Sequence, residues 1–385
     1  MVDWIMNIWF IFWSRTTEHD VSISSAFGIM QWFLKNTWHK VFPIYITSKW
    51  QWVYEPWFLE KEEVKNLPNK DYSDLEFCID FSKLWKFHAF QKKKSIFSKP
   101  VELDLDVMFL MLHGKNWEDW SVQWIMEILN VPYISPSVLW SSLGMNKVAM
   151  KDVFRANNIP CVDSVNLFSM PDKLDGIEKL WYPIFIKPAN LWSSIWVSKA
   201  NNKEELKQWL EVAFFYDSVV ICEKAVENLV ELNCSILADK WEIKHSVIEK
   251  VWNWGVFLSF DEKYINNWGT MQWIEEKVQI PANIPQDLEK EIYEICKKVG
   301  KIMMIDWWAP RIDFLWDSKN NKLYVNEINT IPWAMQLHLW QASGMGIQEF
   351  YNILLDNAFY RNEMQNKKSV EYSSSLVDLT VNLKK

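Results

Sequence analysis

The chain has 385 residues, 49% of them hydrophobic, enough for about two or three domains with a core that needs no disulfide or metal staple. Its net charge of -8 and pI near 5.4 argue against nucleic acid or an anionic membrane as partner, because binding a polyanion takes a basic surface. The five cysteines (Cys78, Cys161, Cys222, Cys234, Cys296) are odd in number, scattered and without a CxxC pair, which points away from a disulfide framework or zinc site and fits a reducing, cytoplasmic setting.

In chain order, the pattern opens on a charge-free apolar run from Trp4 to Trp13. The run is too short to cross a bilayer and follows Asp3 rather than basic residues, so Ile8 to Phe12 reads as a buried strand and not as a secretory signal. A helix with Ala26, Ile29, Met30, Phe33 and Leu34 on one face follows, then a strand from Val41 to Thr47, which together give an α/β reading with a parallel sheet. Residues 59–100, including the run Gln91 to Lys94, read as a polar surface excursion. The strand Val107 to Leu112, the helix Val122 to Leu129 and the strand Val131 to Ile134 complete a first α/β domain over residues 1–136, punctuated by Pro132 and Pro136.

Residues 137–222 hold a helix after Met145, a strand Ile184 to Ile186, a helix Lys203 to Phe215 and a strand Val219 to Cys222, which reads as a small α+β lid. Residues 223–365 follow with a strand Leu232 to Leu237, a polar loop at 252–275, a helix Gln286 to Met303 and two strands around Ile312 and Tyr324. Residues 366–385 have little apolar density and read as a flexible tail. No internal repeat is present.

The strongest chemical signal is Arg311-Ile-Asp313, followed after thirteen residues by Glu327-Ile-Asn329. If these segments are adjacent antiparallel strands, Asp313, Glu327 and Asn329 share one face, since side chains two apart on a strand point the same way. Three hard oxygen donors would then converge, the kind of set Mg²⁺ takes from protein. A solvated strand with a salt bridge to Arg311 is the alternative for the spacing alone.

With these residues in place, the chain resembles the D-alanine–D-alanine ligases of the ATP-grasp fold. The motifs that carry the resemblance occur in order: TEHDVS (17–22), LHGKNWEDW (112–120), MNK (145–147), YPIFIKPANLWSSIW (182–196), ICEK (221–224), FDEKY (260–264) and NEINTIP (326–332). The resemblance runs from about residue 8 to about residue 358. It implies an N-terminal parallel-sheet domain followed by a two-part ATP-grasp domain, and transfer of the γ-phosphate of ATP to a first D-alanine whose acylphosphate is attacked by the amine of a second. It also implies two Mg²⁺ (or Mn²⁺) ions, a place in peptidoglycan precursor synthesis, and a homodimer.

Residue by residue, Asp313, Glu327 and Asn329 match the metal site, and Lys147 and Lys187 the phosphate-binding lysines. Glu223, Lys224 and Val226 match the segment that meets adenine, and Glu231 the acid that holds the ribose hydroxyls, with one more residue between Glu223 and Glu231 than in some relatives. Ser193 and Ser194 belong to the phosphate loop, and Lys263 faces the phosphates. Glu18 resembles the anchor of the first D-alanine's ammonium, with His113 and Glu118 near that substrate. Glu18, Ser193 and Tyr264 resemble the hydrogen-bonded triad that ties a loop over the substrates and keeps water from the acylphosphate. Arg311 is the expected partner of the transferring phosphate and of the tetrahedral oxyanion. Tyr264 favours D-alanine or D-serine over D-lactate as second substrate, and another carboxylate–amine ligase of the ATP-grasp fold, such as a D-alanine–D-serine ligase, remains open. So does a catalytically dead homologue. After Pro332 the chain departs from the family, reading Trp333-Ala-Met-Gln-Leu-His338-Leu-Trp340, and His338 stands near a place where relatives carry Ser or Tyr, so the carboxylate of the second D-alanine is expected to meet either that histidine or Arg311 alone.

One composition is abnormal. Average usage of about 7% glycine would give roughly 27 glycines, whereas the chain has 9 glycines and 27 tryptophans. Trp13, Trp117, Trp120, Trp124, Trp192, Trp196, Trp308 and Trp333 stand where the family pattern has glycine, at turns and phosphate loops where positive φ or close approach disfavours a Cβ. The expectation is that most are glycines encoded by UGA and translated under the wrong code. Trp52 and Trp340 match aromatic positions and are expected to be genuine.

Overall fold

A computed structural model describes residues 5–13, 19–47, 49–60, 67, 77–79, 88–91, 101–113, 119–191, 197–240, 242–251, 278–303 and 307–368. The first sheet has the order β3-β2-β1-β7-β8, from β1 (Asn7–Trp13), β2 (Lys40–Ile46), β3 (Trp52–Tyr54), β7 (Val107–Leu110) and β8 (Tyr133–Ile134). β1 pairs in parallel with both β2 and β7, and β7 with β8, while β3 is antiparallel to β2. Parallel strands are covered on both faces, and β1 shows why its sequence is apolar throughout. Ile8, Phe10 and Phe12 enter one core cluster, whereas Trp9 and Ile11 enter another on the opposite face.

Helix α1 (His19–Asn36) lays Ala26, Ile29, Met30 and Phe33 into the first cluster. Leu34, expected on the same face, is instead 42% exposed, because one further residue rotates the side chain about 100° away from Phe33. The polar excursion also departs from expectation: it carries a three-stranded antiparallel sheet, β4 (Phe77–Ile79), β5 (His88–Gln91) and β6 (Val101–Asp104). Strands of three or four residues leave little periodicity to read.

After α2 (Ser121–Ile128), helices α3 (Val138–Met145) and α4 (Lys147–Ala156) are separated by a single residue, Asn146, whose side chain accepts from Ala149 N–H at 2.8 Å and so caps α4. Gly144 lets α3 press against Thr330, where a Cβ would collide with the threonine methyl. The second sheet, β11-β10-β12-β9, is antiparallel and is built from β9 (Ser164–Leu167), β10 (Ile184–Pro188), β11 (Ser198–Ala200) and β12 (Val220–Lys224). Ile184, Ile186, Val220 and Cys222 pack with Leu206, Leu210 and Ala213 of α5 (Lys203–Tyr216), so the face bearing Phe185, Lys187, Ile221 and Glu223 is turned the other way.

The third sheet has the order β16-β15-β13-β17-β18, with β14 (Glu242–His245) also on β13. Its members are β13 (Leu229–Asp239), β15 (Glu249–Val251), β16 (Val278–Gln279), β17 (Arg311–Asp317) and β18 (Lys322–Asn329). Leu232, Cys234, Ile312, Phe314, Val325 and Ile328 form one core cluster with Leu288, Ile292, Ile295, Cys296 and Val299 of α6 (Gln286–Ile302). The short α7 (Leu337–Ala342) and the long α8 (Ile347–Asn366) close the fold. Arg361 of α8 is buried, stacks 3.7 Å over the Tyr133 ring and donates to the carbonyls of Tyr133 and Ser135 at 2.6 and 3.1 Å. The end of the described chain is thereby tied to the edge of the first sheet. Residues 369–385 of the expected tail lie outside the described residues.

Candidate active site

The site grows from two sheet faces and one helix. On α4, Lys147 and Lys151 are four residues apart and so lie on one face. Both are buried, at 4% and 1% exposure. On the second sheet, Lys187 and Glu223 stand diagonally across β10 and β12, since Lys187 pairs with Ile221 and Phe185 with Glu223. Glu223 is enclosed between two lysines: Lys151 Nζ is 2.6 Å from its Oε1, and Lys187 Nζ is 2.6 Å from its Oε2. Lys147 Nζ donates to the carbonyl of Leu191 at 2.7 Å, two residues before the expected phosphate residue Ser193.

The electrostatics follow from this enclosure. Burial alone would push the Glu223 carboxyl up, but the charges and hydrogen bonds of Lys151 and Lys187 outweigh it and hold the group at about 2. Burial lowers Lys147, with Lys187 and Lys151 adding to the effect and Glu327 and Glu223 opposing it. For Lys187 burial also acts downward, but Glu223, Glu327 and Glu231 win and the net shift is upward. These lysines therefore feel Glu327 of the third sheet, and the two halves of the site share one field.

On the third sheet, register lines up four polar side chains across four neighbouring strands. Glu249 of β15 pairs with Asn233 of β13, Asn233 with Asp313 of β17, and Asp313 with Glu327 of β18. The adjacent row on the same face is Ser235, Arg311 and Asn329. The two segments expected to be adjacent antiparallel strands are so, and Asp313, Glu327 and Asn329 share a face. A register shift between Asp313 and Phe314 leaves Asn326 as an extra residue on β18. Its Oδ1 accepts from Lys187 Nζ at 3.2 Å, a direct link from the phosphate-lysine face to the carboxylate row.

Arg311 closes on Asp313 through a two-point fork, Nε to Oδ1 at 2.5 Å and Nη2 to Oδ2 at 2.8 Å. This is the salt bridge to Arg311 that the spacing alone left open as the alternative. With a carboxylate two residues along on the same strand face, the guanidinium takes the nearest planar counter-charge. The donor set suits a hard divalent cation: two half-buried carboxylates in cross-strand register with an amide one row away. Among the described residues no group of three or more His, Cys, Asp and Glu side chains is placed to hold a metal ion.

Of the other expected residues, His113 is buried just beyond β7, close to where Ser22 of α1 donates to the Met111 carbonyl at 2.6 Å. Lys224 is exposed and Val226 half-buried on the turn after β12, and Glu231 is half-buried, one row from Asn233. His338 stands in the first turn of α7, after Ala334, Met335 and Gln336 with φ of 44, 53 and 53°, and its Nε2 lies 3.0 Å from Glu249 Oε2. Glu18, Glu118, Ser193, Ser194, Lys263 and Tyr264 lie outside the described residues. Lys151, Asn233, Glu249 and Asn326 were not foreseen. Lys151 was readable as the residue one helical turn after Lys147; the other three are placed by strand register and a bulge, which sequence spacing does not encode.

The backbone bears on the tryptophans too. Trp120, at the start of α2, has φ 99°, and Trp50, Trp181 and Trp307 have φ of 66, 62 and 69°, a region that costs an L-residue about 1–2 kcal/mol. Of the eight positions expected to be glycine, Trp120 is the one the described backbone places there. Trp124 lies inside α2 and Trp308 is buried with its indole N–H donating to the Thr330 carbonyl at 2.6 Å, while Trp117, Trp192 and Trp196 are outside the described residues. Positive φ therefore explains the glycine preference at Trp120 and does not at Trp124 or Trp308.

Comparison with known proteins identifies the family. Residues 7–136 match the family model described as D-ala D-ala ligase N-terminus, and residues 153–356 the one described as D-ala D-ala ligase C-terminus. The D-alanine–D-alanine ligase of Thermosipho africanus is 33% identical over 98% of this chain and 100% of its own length, and that of Enterococcus faecalis 31% identical over 92% and 99%. Among solved structures, the D-alanine–D-alanine ligase of Coxiella burnetii superposes with a TM-score of 0.77 at 24% identity, covering 94% of this chain and 96% of that one. The VanG D-Ala:D-Ser ligase of Enterococcus faecalis gives 0.73 at 25%, covering 93% and 100%. With both family models matched, and relatives 31–33% identical over nearly the whole chain, this protein belongs to the D-alanine–D-alanine ligase family.

Proposed function

We propose that this chain joins two D-alanines with conversion of ATP to ADP and phosphate, through a D-alanyl phosphate intermediate, and so supplies the dipeptide of peptidoglycan precursors. The observation that carries the reading is the link Glu223–Lys187–Asn326, which sets a buried cationic cluster against a row of carboxylates. A nucleoside triphosphate needs both: cations for its phosphates, and acids that can hold the accompanying metal.

In this reading Lys147 and Lys187, with Ser193, Ser194 and Lys263, take the phosphates, Glu223, Lys224 and Val226 meet the adenine, and Glu231 holds the ribose. Asp313, Glu327 and Asn329 would hold two Mg²⁺ (or Mn²⁺) ions, which when bound would neutralise charge on the phosphates. Arg311 is the mobile cation: leaving Asp313, it places its fork against the transferred phosphoryl group and then the tetrahedral oxyanion. Glu18 anchors the first ammonium, His113 and Glu118 line that substrate, and His338 receives the second. Ser193, Tyr264 and Glu18 draw a loop over the acylphosphate and exclude water. In the same reading the protein acts as a homodimer in the cytoplasm, with neither nucleic acid nor membrane as partner.

The test is ADP release and product mass with ATP, Mg²⁺ and D-alanine alone. D-Alanyl-D-alanine is the expected product. Release of ADP only when D-serine is added would move the assignment to a D-alanine–D-serine ligase, and absence of ATP binding by calorimetry would leave a dead homologue.

A further inference from the structure

The carboxylate row does not end at the metal-binding pair. It continues through Asn233 to Glu249, a buried acid at 4% exposure for which the nucleotide and metal chemistry has no use. Both oxygens of Glu249 are engaged: Asn233 Nδ2 donates to Oε1 at 2.7 Å, and His338 Nε2 lies 3.0 Å from Oε2. Burial would push its carboxyl up, but the hydrogen bond and charge of His338, the charge of Arg311 and the Asn233 amide hold it below its ordinary value. An ionised carboxylate accepts only, so the histidine donates from Nε2. Its ring is fixed, and Nδ1 has no partner among the described residues. α7 is itself braced over β15, because Val247 N–H donates to Ser343 Oγ at 2.8 Å.

We propose that Glu249 is a positioning residue for the second amino acid, holding His338 so that its Nδ1–H binds that substrate's carboxylate. The inference rests on the ligase reading above. In the bound state Glu249 accepts from Nε2 on one side of the ring and the substrate carboxylate accepts from Nδ1 on the other. Asn233 keeps Glu249 in line with Asp313, so recognition of the acceptor is keyed to the same strand register as the metal site. The backbone through Ala334, Met335 and Gln336, left-handed at three successive residues, delivers His338 to this place.

The experiment compares two acceptors in competition, D-alanine and D-alaninamide, which lacks the anionic carboxylate, with dipeptide and dipeptide amide resolved by mass. Wild-type protein prefers D-alanine. In Glu249→Gln the ring loses the anion that accepts from Nε2, and the preference falls about tenfold, the difference between a charged and a neutral hydrogen bond. His338→Asn gives a fall at least as large, and the double variant falls no further than His338→Asn alone. The KM for ATP stays unchanged in all three. A purely structural role would lower both products together and leave their ratio intact, and that result, or an unchanged ratio in His338→Asn, overturns the proposal. If Glu249→Gln does not fold, Glu249→Asp carries the test: the shorter acid cannot span both Asn233 and His338, so the ratio again falls. Failure of wild-type protein to form dipeptide would instead overturn the ligase reading, before any variant is made.

Discussion

Lys151 Nζ lies 2.6 Å from Glu223 Oε1, with the two side chains at 1% and 2% exposure. Removing one member of such a pair leaves a buried charge short of a partner, which typically costs about 3–5 kcal/mol. Lys151→Met is therefore expected to lower unfolding free energy by about that amount in urea titration. It also weakens ATP binding, because Glu223 is no longer held from the α4 side. Unchanged stability would show that Lys187 alone can satisfy Glu223.

The same pair sets an acid limit. Glu223 has an ordinary value of 4.5 and a folded value of about 2. A depressed carboxylate contributes stability that is fully present above its unfolded value and is lost as pH falls through the folded one. Unfolding free energy is expected to decline between pH 4.5 and 2 in the wild-type chain, and to decline less over that window in Glu223→Gln, whose amide does not titrate. Parallel curves for the two proteins would remove Glu223 from the account.

Asp313 and Glu327 are cross-strand neighbours on one face. Asp313→Asn and Glu327→Gln are each expected to cut turnover by about 10²–10³, the usual scale for losing a charge-stabilising group, and to raise the Mg²⁺ concentration needed for half-maximal rate. Their thermal midpoints change little, since both side chains are only half-buried. Full activity in either variant would place the metal elsewhere.

Trp120 combines φ 99° with 45% exposure and no side-chain cap. Trp120→Gly is expected to stabilise the protein by about 1–2 kcal/mol, the cost of holding an L-residue in the left-handed region. We further propose that the gene carries UGA at Trp120 and at most of the other family-glycine positions, and UGG at Trp52 and Trp340. Peptide masses of protein made in its own source then show glycine at Trp120; UGG codons at Trp192, Trp196 and Trp333 would defeat the idea.

How much of the site was legible depends on how each residue is placed. Lys187 and Glu223 were reachable through motifs because each sits on a short strand flanked by recognisable sequence, and Asp313, Glu327 and Asn329 because alternation on a strand is a local rule. Lys151 lay one helical turn from Lys147 and was passed over, although the helix was expected. Glu249 gave no signal: a three-residue strand after a polar stretch has too little periodicity to register, and its meaning comes wholly from its neighbours in the sheet.

The sequence by itself determined the parallel first sheet, through an apolar run in β1 that only burial on both faces explains, and the chemistry of the reaction, through charged residues in ordered motifs. Tertiary structure decided which of those charges meet. It set Lys151 against Glu223, took Arg311 to Asp313, used the bulge at Asn326 to bring Lys187 to the carboxylate row, and extended that row to Glu249 and His338. Local periodicity is written in the order of residues, but strand register and the contact between separate sheets arise when distant segments pack, and a one-residue slip would turn the same side chains to the other face.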